Sequence, residues 1–188
     1  MIELTPEVLS RLCGESPRAS ANNASTRGAR PQESEGEQEA FKKIARLVKV
    51  RDRSCDEVRC RLIRDGFEDL DVEKAIERAC SCSFLDDDRF ADVLIRSRLR
   101  AGKGLDGIVR ELKSHGINPE SINGFPERYL EAFPTQQDSA YALLCRKPPR
   151  AKNARQAAYA KLVRAGYPAS IAAEATKRWF STFASDPH

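Results

Sequence analysis

The chain has 188 residues, 40% apolar and 32% charged, with a formal net charge of +4. No apolar run approaches the ~20 residues that cross a bilayer, and no basic-then-apolar leader opens the sequence, which argues against a membrane or secreted protein and predicts a cytoplasmic one. The positive charge is concentrated at one end. Residues 136–188 hold nine Lys/Arg against three Asp/Glu, whereas residues 39–135 balance at nineteen of each. A basic module predicts a polyanion or an acidic protein surface as partner, set against the plainer reading of a solvated face.

Residues 1–38 read as a flexible N-terminal tail. From Ser16 to Gln38 the chain is rich in Ser, Ala, Asn, Gly, Pro and Gln with no apolar period. Such a segment cannot bury enough surface to offset its conformational entropy. Within it, Thr5-Pro6-Glu7 predicts one short helix through Leu12, because proline suits the first helical position.

Beyond the tail, apolar residues recur at helical spacing. In residues 39–84 a first helix turns Phe41, Ile44, Ala45 and Val48 inward and stops near Asp52. Ser54 opens a second helix, with Glu57 completing a capping box and Val58, Leu62 and Ile63 as the inner stripe. A third begins at Asp71 and buries Val72, Ala75, Ile76 and Ala79. In residues 85–134, Phe90, Ala91, Leu94 and Ile95 line a helix that ends before Gly102-Lys103-Gly104. Ile108, Val109 and Leu112 line the next, and Asn118-Pro119-Glu120 starts another. Gly124-Phe125-Pro126 breaks that one, since an interior proline costs about 3 kcal/mol or more, and a new helix is expected from Pro126 to Ala132. In residues 135–188 the first inner face is Tyr141, Leu144 and Cys145, ended by Pro148-Pro149. A second helix from Asn153 turns Ala158, Leu162 and Val163 inward, and Pro168 opens a third with Ile171, Ala175, Trp179 and Phe183.

One phrase recurs in each of these segments: RLIRDGF at 61–67, ELKSHGI at 111–117 and KLVRAGY at 161–167. Gly66, Gly116 and Gly166 are spaced by fifty residues, and each follows a leucine by four: Leu62, Leu112 and Leu162. A glycine after a helical run is the common left-handed C-terminal cap, and a fixed period marks a repeat. No segment alternates with period two over a strand's length. The predicted fold is all-α: three tandem three-helix modules at 39–84, 85–134 and 135–188, in an elongated array curving to right or left behind a disordered tail.

Chemistry is sparse. There is no glycine-rich phosphate loop after a strand, no metal-ligand spacing and no nucleophile–histidine signature, so no catalytic, cofactor-binding or metal residue is assigned. Asp86-Asp87-Asp88 precedes a helical run and reads as acidic capping rather than a cation site. His115, one residue before a cap glycine, is placed to meet free carbonyls. The six cysteines (Cys13, Cys55, Cys60, Cys80, Cys82, Cys145) form no Cys-x-x-Cys pair and have only two histidines to help bind a metal. Reduced, buried cysteines acting as small apolar residues are expected, with zinc binding or redox sensing as the alternatives.

The stretch from Asp86 to Ile117, DDDRFADVLIRSRLRAGKGLDGIVRELKSHGI, resembles the signature of the RecX family, regulators of the RecA recombinase. Arg51-Asp52-Arg53-Ser54, Arg61-Leu62 and Gly66-Phe67 are similar to that family's opening repeat. The resemblance implies tandem three-helix modules that bind the RecA–DNA filament, limit recombination and strand exchange, and modulate the SOS response, in a non-enzymatic protein that also contacts DNA. Partners are then a RecA-type filament and single- or double-stranded DNA, with no membrane and a monomeric chain. The second module departs from the family pattern at Gly124-Phe125-Pro126, and the third keeps only Leu162, Gly166 and Tyr167 of the motif.

Two groups of cations are candidate contacts. Arg89, Arg96 and Arg100 share one helix face, Lys103 follows in the loop, and Arg110 and Lys113 lie outward on the next helix: a candidate recombinase-binding set. Arg146, Lys147, Arg150, Lys152 and Arg155 form a second run with the density of a phosphate-contacting surface. Only Tyr159 is close by as an aromatic, so stacking on bases is weakly signalled. A stand-alone DNA-binding protein and a general helical-repeat scaffold are the competing readings.

Overall fold

The computed structural model describes residues 34–184, and every regular element in them is helical. In chain order these are α1 (Glu35–Val50), α2 (Cys55–Arg64), α3 (Asp69–Ser81), α4 (Asp87–Arg100), α5 (Leu105–Ser114), a 3₁₀ turn (Pro119–Ser121), α6 (Glu127–Leu130), α7 (Gln136–Arg146), α8 (Ala154–Arg164) and α9 (Ala169–Ala184). The described chain divides into two compact units, one of residues 34–53 and 57–85, the other of 54–56 and 86–184. The expected helix near Thr5–Leu12, and most of the predicted tail, lie outside the described residues.

In the first unit α1 packs on α3, with Ala40, Phe41 and Ile44 buried against Val72, Ala75, Ile76 and Ala79. Val58 and Leu62 of α2 are fully buried as well. Phe41 stacks on Phe84 with ring centroids 5.7 Å apart, and the Arg78 guanidinium covers it at 4.4 Å. The second unit holds two apolar clusters. One gathers Phe90, Leu94, Ile95, Ile108, Leu112 and Tyr129; the other gathers Leu144, Ala158, Leu162, Tyr167, Ala172 and Trp179. The inner faces read from helical spacing are largely these residues. The 3₁₀ turn after Asn118, the break, and the short α6 also follow the expectation from Pro119 and Gly124-Phe125-Pro126.

The three repeat glycines take the left-handed conformation, with φ of +92° at Gly66, +74° at Gly116 and +91° at Gly166. The amide after each reaches back to the repeat leucine: Phe67, Ile117 and Tyr167 donate to the carbonyls of Leu62, Leu112 and Leu162 at 3.1–3.2 Å. This is the hydrogen-bond pattern of a glycine-terminated helix.

Several expectations need correction. Helix α1 begins at Glu35, inside the segment whose composition suggested a tail. The Ser34 hydroxyl accepts from the Glu37 amide at 3.0 Å and donates to Asp71, and a Cβ on Gly36 would collide with that aspartate. A tertiary contact, not an apolar period, extends the helix. Helix α3 starts at Asp69 rather than Asp71, which puts both carboxylates in the first turn, where the helix dipole favours them. Ile63 and Val163 are 46% and 39% exposed, not buried. Each follows its repeat leucine and is rotated about 100° away from it, beyond the narrow stripe a three-helix core covers. None of the five described cysteines is buried: Cys60, Cys80 and Cys145 are exposed, and Cys55 and Cys82 are half-buried. Cys145 therefore leaves the inner face of α7, where Ala140 takes that place beside Leu144.

Candidate polyanion-binding face

Helix α4 is positioned by its acidic start. The Asp86 carboxylate accepts from the Arg89 amide at 2.8 Å, and Asp87 and Asp88 follow in the first turn, so the triad caps the helix. Among the described residues no group of three His, Cys, Asp or Glu could hold a metal ion. At the far end of the next helix, α5, His115 closes the last turn through its amide and packs edge-on to Phe90, with centroids 5.0 Å apart.

The cations of α4 and α5 are largely committed inside the fold. Arg96 donates to Asp92 at 2.8 Å and lies over the Tyr129 ring at 5.4 Å. The Arg96 hydrogen bond holds the Asp92 carboxyl below its ordinary pKa, and burial followed by the hydrogen bond to Asp92 pushes the Tyr129 phenol up. Arg98, which helical spacing did not single out, grips Glu111 with Nε at 2.9 and 2.8 Å from its two oxygens. Lys103 adds a longer contact to Glu111 at 3.6 Å. Arg110 donates to the Asp106 carbonyl at 3.3 Å. Arg89 and Lys113 are exposed.

Arg100 behaves differently. It is exposed at the end of α4 and lines a groove of about 440 Å³ together with Arg146 at the end of α7. Leu99, Phe133, Pro134 and Leu143 supply apolar lining. The groove therefore unites one residue from each of the two cation sets that the sequence kept apart. Below it, the buried Tyr167 hydroxyl donates to the Gly102 carbonyl at 2.8 Å. Burial raises the Tyr167 pKa to about 12, against an opposing pull from the Arg146 charge.

Arg146, Lys147, Arg150 and Lys152 follow one another through the end of α7 and the connection to α8, and Arg155 stands in the first turn of α8. Among the described residues none of these five, nor Arg100, has a carboxylate within ion-pair distance. Lys161 joins them. Its ammonium donates to the Lys147 carbonyl, and burial, then the charges of Lys147 and Arg146, lower its pKa. Like charges held this close favour a bound anion. Sequence reading missed Lys161 because its contact depends on the α7–α8 connection folding back over α8.

Residues 86–123 match the family described as RecX, second three-helix domain. The regulatory protein RecX of Mycolicibacterium smegmatis is 33% identical over 88 residues, 46% of this chain and 47% of that protein. RecX of Prosthecochloris aestuarii is 40% identical over 74 residues, 39% and 48% of the two chains. The chain is similar to RecX proteins over part of its length. RecX of Bacillus velezensis extends the similarity to 70% of this chain and 52% of its own, at 29% identity. The crystal structure of RecX from Lactobacillus salivarius shares the fold, with a TM-score of 0.60 over 78% of this chain and 97% of that one, at 14% identity. The chain spans about half the length of the curated relatives it matches. The RecX second-domain match covers α4, α5 and the 3₁₀ turn, and so contains Arg89 through Lys113 but not the run from Arg146 to Arg155.

Proposed function

We propose that this chain is a RecX-type, non-catalytic regulator that binds a RecA-type recombinase filament on DNA and restrains its activity, as a monomer in the cytoplasm. The observation that carries the reading is the cation run Arg146, Lys147, Arg150, Lys152 and Arg155, which has no carboxylate partner among the described residues, in a chain similar to RecX proteins. Cations left without internal partners suit phosphate contact, whereas the paired Arg96 and Lys103 suit positioning of the α4–α5 surface toward protein. Arg89, Arg96, Arg100, Lys103, Arg110 and Lys113 are the proposed recombinase-facing set, with Arg100 shared between the two through its groove with Arg146.

The test is a titration of the DNA-dependent ATPase of a RecA filament. Suppression is expected at protein concentrations too low to bind naked DNA. Suppression that appears only once free DNA is saturated would overturn this reading in favour of a stand-alone DNA-binding protein.

A further inference from the structure

The N-terminus of α8 opens onto a recess of about 320 Å³ against α9. It is lined by Asn153, Arg155, Gln156 and Tyr159 on one side and by Ala173 and Thr176 on the other. Its size falls at the small end of ligand sites, which start at about 300 Å³.

Thr176 is the first reason to read it as a site. The residue is 3% exposed, and its hydroxyl has no hydrogen-bond partner among the described residues. Buried hydroxyls are nearly always paired, commonly in helices with the carbonyl one turn back, and each exception calls for an explanation. A bound group that offers Thr176 a partner supplies one.

The second reason is the helix end. Helix α8, like α9, has no acidic residue in its first turn, whereas α1, α3, α4, α5 and α7 do. The Asn153 side chain accepts from the Gln156 amide at 3.1 Å. The amides of Ala154 and Arg155 remain at the positive end of the helix without intrahelical acceptors. An exposed arginine in that first turn, with no ion pair among the described residues, makes the site suited to a phosphate. Tyr159, one turn on and 38% exposed, presents an aromatic face to the same recess.

We propose that this recess is a single-nucleotide subsite for single-stranded DNA. One phosphate sits at the α8 N-terminus with Arg155, its base stacks on Tyr159, and Thr176 meets the polar edge of the nucleotide, while Asn153 and Gln156, hydrogen-bonded to each other at 3.3 Å, hold the rim. The proposal deepens the filament reading and rests on it, because it names the element of a DNA-bearing filament that this face would hold. A peptide carboxylate would use the helix end and Arg155 but gain little from the ring. A nucleotide with an unstacked base uses the helix end, Arg155, the ring and Thr176 together.

The test uses the full chain with two labelled strands of equal length, oligothymidylate and an abasic sugar–phosphate strand, read by fluorescence anisotropy over a salt series. The wild type should prefer the strand with bases. Tyr159→Leu should lower affinity for oligothymidylate by about 5- to 150-fold, the range of one base–aromatic stack, and leave affinity for the abasic strand and the salt slope unchanged. Arg155→Gln should weaken both strands and reduce the log–log slope by about 0.7. Thr176→Val preserves shape and removes the unpartnered hydroxyl, so it should fold at least as well as wild type yet reduce the preference for bases. If Tyr159→Leu proves unstable, Thr176→Val carries the test. A wild type indifferent to the bases, or Tyr159→Leu and Thr176→Val variants that keep the full preference, would overturn the subsite. Failure of the filament reading is distinguishable in the same samples: the wild type would then prefer oligothymidylate and leave the recombinase ATPase untouched.

Discussion

The amide of Gly107 donates to the carbonyl of Gly166 at 3.1 Å, and a Cβ on Gly166 would stand 2.4 Å from the Gly107 Cα. Backbone thus meets backbone between the two apolar clusters of the second unit. The Gly104 amide donates to the Ala165 carbonyl at 3.0 Å, and Tyr167 reaches Gly102 from the same side. The loop Gly102-Lys103-Gly104, which the sequence offers only as a helix break, is the seat on which the third helical repeat rests. Gly166 therefore has two duties, as a left-handed cap and as a surface without side-chain atoms.

This contact makes Gly104 a steric position. Its φ of −74° suits any residue, but a Cβ there would lie 2.3 Å from the Gly166 carbonyl. Gly104→Ala should destabilise the second unit by about 1–3 kcal/mol, the usual cost of overpacking. Gly66→Ala meets nothing within 4 Å among the described residues and should show only the left-handed backbone cost, about 1–2 kcal/mol. Urea unfolding measures both costs, and near-ultraviolet circular dichroism separates the variants: Gly104→Ala alone should disturb the Tyr167 environment.

The repeat leucines and the residues after them should respond in opposite ways. Leu62 and Leu112 are fully buried, and replacing either with alanine should cost roughly 2–5 kcal/mol. Ile63→Ala and Val163→Ala, at exposed positions, should change stability by no more than about 0.5 kcal/mol. Equal losses for Leu62→Ala and Ile63→Ala in denaturant melts would refute the assignment of one buried stripe per helix.

Acid should weaken the second unit through Glu111. The Arg98 hydrogen bonds hold its carboxyl below the ordinary glutamate pKa, with further help from the Arg98, Lys103 and His115 charges. Because the folded-state pKa is lowered, the stabilisation is fully present above the unfolded value of about 4.3 and is lost as pH falls through the folded value. The stability gap between wild type and Glu111→Gln should therefore be constant near neutrality and shrink toward low pH. A gap that persists unchanged in acid would mean that packing of the side chain, not its charge, provides the stabilisation.

Neutralising Arg146, Lys147, Arg150, Lys152 and Arg155 together should lower DNA affinity and flatten its salt dependence by about 0.9 per lost contact on duplex DNA and about 0.7 on single strands. Replacing Arg89 and Arg96 should leave that slope unchanged. Arg100→Gln should fall between the two, because its side chain shares a groove with Arg146. Binding isotherms at several salt concentrations check all three, and an unchanged slope for the five-residue variant would mean that the run is only a solvated face.

Helical period and cap chemistry alone determine most of the fold. Leu62, Leu112 and Leu162 lie on buried stripes, and the glycines after them end helices, because both signals are local: side-chain spacing along one helix and a backbone torsion at one residue. Asp86 as a cap, Asn118-Pro119 as a helix start and the break before Pro126 were legible for the same reason. Relationships across the chain were not. Ser34 begins α1 because it meets Asp71, 37 residues away, and no apolar pattern marks that contact. Arg96 and Arg100 share a face by helical arithmetic, yet Asp92 and Tyr129 engage the first and Arg146 adjoins the second. Arg155 and Tyr159 read as one cation and a lone aromatic until α9 brings Thr176 beside them. Spacing places a side chain on its own helix; only packing decides which neighbour, carboxylate or arginine, stands across from it.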